Sequence, residues 1–169
     1  MATSLYGANL FLYRFGVEYF APGTQNPFLH MWSLGVEEQV YLVLPVTIAF
    51  LWTIGRRFHR PRAAVSVGLL ALAVLSLAGC VALTYERLIP LPLAARFAFY
   101  SPVTRLWEFG FGALVANRVA TGAARRAAGF RAVAGLILVG VSALVFSDTT
   151  AFPGLAALLP VVGTCIVIQ

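Results

Sequence analysis

Residues 26–45 are Asn-Pro-Phe-Leu-His-Met-Trp-Ser-Leu-Gly-Val-Glu-Glu-Gln-Val-Tyr-Leu-Val-Leu-Pro, and three consecutive polar side chains interrupt their apolar pattern. Glu37, Glu38 and Gln39 stand near the start of a segment that continues apolar to Trp52. A charged side chain at the centre of a bilayer costs on the order of 2.5–3.5 kcal/mol. Carboxylates in such a segment are therefore expected to be paired, hydrated or used in chemistry.

The same stretch predicts the start of a helix. Ser33 is a good N-cap residue, and glutamates in the first turns are stabilised by the positive end of the helix dipole. Pro45 has no N–H, so the carbonyl of Tyr41 lacks its helical donor one turn below the glutamates. Polar side chains and this carbonyl converge on one short length of helix, which indicates a functional site.

The composition is that of a membrane protein. Hydrophobic residues make up 60% of the 169 residues and charged residues 11%, and the mean hydropathy is +0.88. All twelve basic residues are arginines, and they cluster in short gaps between apolar runs, so the net charge of +6 does not indicate nucleic-acid binding. Cys80 and Cys165 lie in apolar runs and are predicted to be buried free thiols.

The apolar segments predict an all-α, multi-pass bundle of transmembrane helices. The predicted spans are residues 34–54, 63–83, 102–117, 132–146 and 155–169. The first of them has a length of about 31 Å at 1.5 Å per residue. The pair Ser101-Pro102 is typical of a helix start, and residues 85–100 are predicted to be a mixed connection. Residues 1–169 are interpreted as a single membrane-embedded domain that we expect to be truncated at both ends.

The placement of the arginines predicts the orientation in the membrane. The loops at 55–62 and 118–131 carry four arginines each, so both are predicted to be cytoplasmic by the positive-inside rule. Glu37 then lies about one turn below the outer surface, and Arg105 and Glu108 lie at a similar depth on another helix. The positions of the charged residues therefore predict a polar cluster in the outer half of the bundle.

The segment His30–Tyr41 resembles the pattern His-x-Trp-Ser-Leu-x-x-Glu-x-Gln-x-Tyr/Phe of a large membrane-bound acyltransferase family, often called acyltransferase 3. Two further segments match in the family's order. They are Thr104–Glu108, with Gly110 and residues 112–116 following, and Phe152–Gly154 through Pro160. The resemblance covers nearly the whole chain, but only the middle of a typical family member.

The resemblance implies an O-acyltransferase, an enzyme that transfers groups other than amino-acyl groups, in a bacterial plasma membrane. The acyl group, commonly acetyl, is expected to come from acyl-CoA on the cytoplasmic side. The acceptor is expected to be a hydroxyl of an envelope carbohydrate on the outer side. We expect no bound cofactor, metal or nucleic acid, and as partners the lipid bilayer, the two substrates and the N-terminal helices of a full-length protein.

The matched positions suggest which residues carry the reaction. An acyl transfer needs a base for the acceptor's proton and donors for the developing oxyanion. Glu37 fills the motif position of the glutamate, whereas Glu38, pointing about 100° away on a helix, fills a variable one. Glu37 and His30 are the predicted catalytic residues. The predicted substrate-binding residues are Trp32, Ser33, Gln39, Tyr41, Arg105, Trp107 and Glu108.

Structural explanations compete with these roles. The glutamates could face lipid headgroups, His30 could be an exposed loop residue, and the tryptophans and Tyr41 could be interface aromatics. Arg105 and Glu108 could form a self-satisfying pair at i, i+3. The basic loops serve first as topology anchors and only second as contacts to CoA phosphates. The small residues Gly110, Gly112, Ala113 and Ala116 favour helix packing.

An alternative interpretation is that the chain is a non-catalytic polytopic membrane protein, such as a carrier or an assembly partner. A carrier predicts internal repeats and a site at the bilayer midplane, and the sequence shows neither. The family's arginine and histidine of the first transmembrane helix have no counterpart here, because neither His30 nor His59 lies on a predicted span. We therefore expect these 169 residues to be inactive on their own.

The predicted orientation is tested by cysteine accessibility in intact cells. A cysteine at Ala63 or Gly122 should resist a membrane-impermeant thiol reagent, whereas a cysteine at Thr24 or Thr149 should react. The reverse pattern would show that the arginine loops face outward and that Glu37 does not face an external acceptor.

Overall fold

The chain folds into α-helices, as the sequence predicts. The computed structural model describes residues 7–15, 30–85, 94–120, 128–147 and 150–169. Within these ranges there is no β-strand, which confirms the all-α prediction. The helices of the described part are α1 (Ala8–Arg14), α2 (Met31–Arg57), α3 (Pro61–Thr84), α4 (Ala94–Tyr100), α5 (Pro102–Ala120), α6 (Ala128–Val145) and α7 (Leu158–Ile168). Arg125 and Arg126 of the predicted loop at 118–131 lie outside the described residues.

Helix α2 begins earlier than the sequence predicts. The helix starts at Met31, so the prediction of Ser33 as the N-cap is wrong, and His30 holds that position without a side-chain hydrogen bond. Ser33 lies in the first turn, where its Oγ donates to the carbonyl of His30 at 3.2 Å. A serine inside a helix commonly bonds back to the carbonyl three or four residues earlier.

A tight turn joins α2 and α3 into an antiparallel hairpin. The N–H groups of Phe58 and Arg60 both donate to the carbonyl of Gly55, and His59 adopts a left-handed φ of 56°. A Cβ on Gly55 would lie 2.6 Å from the Cα of Pro61, so only glycine permits this close approach. The predicted loop at 55–62 is therefore shorter, because Gly55, Arg57 and Pro61 all belong to helices.

The predicted connection at 85–100 contains a short helix that the sequence analysis missed. Helix α4 covers its last seven residues, whereas residues 86–93, with the two prolines that suggested a loop, are outside the described ranges. The predicted start of α5 is confirmed. The Oγ of Ser101 accepts a hydrogen bond from the N–H of Val103 at 3.3 Å, and Pro102 is the first helical residue.

Helices α3 and α5 pack along their lengths through small and polar side chains. Gly110 lies against Ala73, whose Cβ would be 3.1 Å from a Cβ on the glycine. The Oγ of Ser76 donates to the carbonyl of Val103 at 2.6 Å and accepts from the N–H of Trp107 at 3.1 Å. Small residues that allow close backbone approach, together with hydrogen bonds between helices, are typical of packing in membranes.

Helices α6 and α7 form a second closely packed pair. A Cβ on Gly135 would lie 2.5 Å from the carbonyl oxygen of Gly163, and a Cβ on Gly163 would lie 2.8 Å from that of Gly135. The two backbones are thus in direct contact, and glycine is required on both sides.

Large apolar side chains remain exposed on the outside of the bundle. Leu42 on α2 is 76% exposed and Leu144 on α6 is 87% exposed. Helices α2 and α3 are long and apolar enough to cross a membrane, and α6 and α7 are shorter apolar helices. An exposed apolar surface of this extent is expected of a protein that contacts lipid.

The contact between α6 and α7 yields a stability prediction. Gly135→Val should lower the free energy of unfolding by about 1–3 kcal/mol, the usual cost of overpacking, as measured by SDS titration followed by circular dichroism. Gly140→Val is the matched control on the same helix, because a Cβ there meets no atom within 4 Å. Equal effects of the two substitutions would contradict the proposed packing.

Candidate functional site

A bidentate ion pair on α5 forms the centre of the candidate site. The Nε of Arg105 donates to Oε1 of Glu108 at 3.0 Å, and its Nη2 donates to Oε2 at 2.8 Å. The two side chains are only 15% and 18% exposed. Two parallel bonds between planar charged groups are among the stronger protein hydrogen bonds, so the guanidinium is held in a defined orientation.

Two aromatic rings from other parts of the chain contact the same guanidinium. Its central carbon lies 5.0 Å from the ring centroid of Trp32 on α2 and 5.9 Å from that of Phe152, before α7. Both distances are within the range of cation–π attraction. Arg105 therefore joins α2, α5 and the segment that precedes α7.

Glu37 lines a small cavity next to this ion pair. The cavity has a volume of about 70 Å³, which is room for about two groups of the size of a water molecule at about 30 Å³ each. Its lining consists of Trp32, Ser33, Val36, Glu37, Arg105, Glu108 and Phe109. The carboxylate of Glu37 is half-buried, whereas Glu38 is exposed. Four of the predicted substrate-binding residues thus line the same cavity as the predicted base Glu37. They are Trp32, Ser33, Arg105 and Glu108.

Gln39 faces a different neighbour. Its Nε2 donates to Oδ1 of Asn9 at 3.0 Å, and Nδ2 of Asn9 donates to Oε1 of Gln39 at 3.2 Å. The same Nδ2 donates to the carbonyl of Tyr100 at 3.1 Å, and Asn9 is 0% exposed. The amide of Gln39, predicted to bind substrate, therefore connects α2 to α1 and α4.

The other predicted residues lie outside the cavity. Trp107 is 0% exposed and packs in the core with Ala73 and Cys80. Tyr41 is 57% exposed with its ring edge near Phe109, and His30 is exposed at the start of α2. The structure thus brings Glu37, Trp32, Ser33, Arg105 and Glu108 together and leaves these residues apart.

The sequence analysis missed two residues that contact predicted site residues, namely Phe152 beside Arg105 and Asn9 beside Gln39. Phe152 was noted only as part of a matched segment, without the cation contact that it makes. Asn9 is separated by 30 residues from Gln39, and no sequence pattern relates them. Within the described residues, no group of three His, Cys, Asp or Glu side chains could hold a metal ion.

The fold and the cavity define a helical protein with two helices suited to crossing a membrane and a charged site near the start of α2. Over 51 residues the chain is 39% identical to the O-acetyltransferase OatA of Staphylococcus aureus strains NCTC 8325, COL and MRSA252. The match covers 30% of this chain and only 8% of those relatives. No family model matches the chain, and no solved structure matches it. The match supports an acyltransferase-like relation over part of the chain.

The contact between Asn9 and Gln39 predicts strong coupling between two substitutions. Gln39→Leu removes the partner of the buried side-chain oxygen of Asn9, whose Nδ2 keeps its hydrogen bond to the carbonyl of Tyr100, and should cost about 1–3 kcal/mol. Asn9→Leu should cost a similar amount, because it removes both hydrogen bonds between the two amides. The double variant should be less destabilised than the sum of the two, with a coupling energy of about 0.5–3 kcal/mol, as measured by SDS unfolding. Additive losses would contradict the hydrogen-bonded pair.

Proposed function

We propose that this chain forms the acceptor side of a membrane O-acyltransferase of the acyltransferase 3 type. The observation that carries the proposal is the grouping of Glu37 with the Arg105–Glu108 pair around one small cavity. The partial similarity to an O-acetyltransferase supports the same class of reaction. The donor is an acyl-CoA from the cytoplasmic side, and the acceptor is a hydroxyl of an envelope carbohydrate on the outer side of the plasma membrane.

Glu37 acts as the general base in this proposal. The acceptor oxygen attacks the acyl carbonyl carbon while Glu37 takes the hydroxyl proton. The bond between that carbon and the thioester sulfur then breaks, and the proton passes to the leaving thiolate. A cavity of about 70 Å³ suits this role, because it admits a hydroxyl group but not an entire sugar ring. The carbohydrate itself would lie outside the cavity, with its reacting hydroxyl directed inward.

Arg105 supplies the positive charge for the transition state. An arginine carries five N–H donors, and the ion pair uses the Nε and one Nη2 hydrogen. The remaining donors are suited to a carbonyl oxygen that gains negative charge during the attack, which is the largest single contribution in many acyl transfers. Trp32 keeps the guanidinium in place from one side, so its role here is to position Arg105. This differs from the substrate-binding role that the sequence analysis predicted for Trp32.

Substitution of Glu37 tests the proposal. Glu37→Gln retains the size and hydrogen-bonding capacity of the side chain but removes the basic lone pair. In the complete polypeptide that the reading frame encodes, acyl transfer per folded molecule should fall by roughly 10²–10⁴-fold, the usual contribution of a positioned acid–base group. The measurement is turnover normalised to monodisperse protein extracted in detergent.

Glu38→Gln is the matched control, because it removes the same charge from the exposed neighbour. Its turnover should stay close to that of the parent. Equal losses for both variants would indicate a general effect of surface charge rather than a base in the cavity. Unchanged turnover of Glu37→Gln with less folded protein would show that the cluster is structural.

A further inference from the structure

A second, larger cavity lies on the other side of the Arg105–Glu108 pair. It has a volume of about 290 Å³ and extends between α5 and α7. The ion pair lines both this cavity and that of Glu37, so it forms a shared wall. Apart from the pair and Thr164, the lining is apolar, and it combines the small residues Gly112 and Ala157 with the larger Phe152 and Ile168.

Gly112 lines this cavity, and no packing contact within the described residues requires glycine at this position. It lies one turn after Glu108 on the same face of α5, since residues four apart are neighbours on a helix. Gly110, two residues earlier, is required by its contact with Ala73, but a Cβ on Gly112 would meet no atom of the described residues within 4 Å. Glycine in a helix interior costs about 0.5–1 kcal/mol relative to alanine. The prediction that small residues serve packing therefore holds for Gly110 and does not account for Gly112.

A third cavity adjoins the second and extends toward the far end of α5. It has a volume of about 470 Å³ and shares Val161 and Cys165 with the cavity at Gly112. Its lining is mainly apolar and includes Ser66 and Arg118, which lie near the end of the bundle that the arginine loops predict to be cytoplasmic. Apolar space thus follows α5 and α7 from Arg118 to the charged pair.

We propose that the cavity at Gly112 binds the acyl chain of the donor, and that Gly112 determines the length of chain that is accepted. The inference rests on the proposed acyl transfer. Arg105 and Glu108 line both cavities, so a carbonyl oxygen bound by Arg105 would stand between the cavity of Glu37 and the larger, mainly apolar one. A volume of about 290 Å³ holds roughly nine groups of about 30 Å³ each. The site therefore has room for an acyl chain longer than an acetyl group, and octanoyl is a suitable probe.

The chain contains its own reporter for occupancy of this cavity. Cys165 lines it and is half-buried, whereas Cys80 is 0% exposed. In purified protein, a small alkylating reagent should therefore modify Cys165 and leave Cys80 as an unreacted internal control, as followed by intact mass. Octanoyl-CoA at about ten times its Kd should slow modification of Cys165 about tenfold, because only the unoccupied fraction reacts. CoA without an acyl chain should give no protection.

Gly112→Leu places an apolar side chain in the lining of the cavity and should abolish the protection by octanoyl-CoA. Gly79→Leu is the matched control, because a Cβ at Gly79 also meets no atom within 4 Å and that residue lies on α3, away from the cavity. The control variant should retain the full protection. Circular dichroism of both variants establishes that they fold.

Several results would overturn the inference. One is a lack of protection by octanoyl-CoA, and another is equal protection in the Gly112→Leu variant. Protection by CoA alone would assign the effect to the nucleotide part of the probe. Equal protection by free octanoate would show that the cavity takes any apolar tail, such as that of a membrane lipid. The assay requires no turnover, so a failure here is distinct from a failure of Glu37 as the base.

Discussion

The largely shielded ion pair of Arg105 and Glu108 is the constraint on which the arrangement of the site depends. A charge removed from water is stable only when it is paired and hydrogen-bonded, and here the pairing comes from Glu108 one turn away. Trp32 and Phe152 also contact the guanidinium through their rings. These contacts bring the start of α2 and the segment before α7 onto the same face of α5. The position of Glu37 beside the ion pair follows from them.

The packing of the helices combines a core of large side chains, such as Trp32, Phe99 and Tyr100, with close backbone approach at small residues. Lipid is as apolar as a leucine side chain, so helices in a membrane gain little from burying apolar surface against each other. Gly110 against Ala73 and Gly135 against Gly163 allow dispersion contacts between backbones instead. The hydroxyl of Ser76 adds bonds to α5. A small residue that does not pack against a neighbouring helix leaves space open. Gly112 is such a residue, and it lines a cavity.

Polar groups near the start of α2 divide into two sets with different consequences. Gln39 and Asn9 satisfy each other's amides inside the protein, and such a closed network contributes to the position of the helix. Glu37 faces the cavity at the ion pair, where its carboxylate is half-buried. Residues two apart on a helix point to nearly opposite sides. The pairing of Gln39 with α1 and α4 is therefore compatible with Glu37 facing α5, and it stabilises that rotation of α2.

Composition and spacing were sufficient for the all-α class and for the helix start at Ser101-Pro102, because both depend on local preference. They also predicted a polar cluster of Glu37, Arg105 and Glu108, which line one cavity. They were insufficient for the cap of α2, where the helix began two residues before Ser33. Only the tertiary structure showed that Trp32 covers Arg105, that Gln39 pairs with Asn9 and that Gly112, unlike Gly110, borders open space. Each of these depends on a residue far away in the chain, and the identity of such a neighbour is determined by packing between helices, which local sequence does not encode.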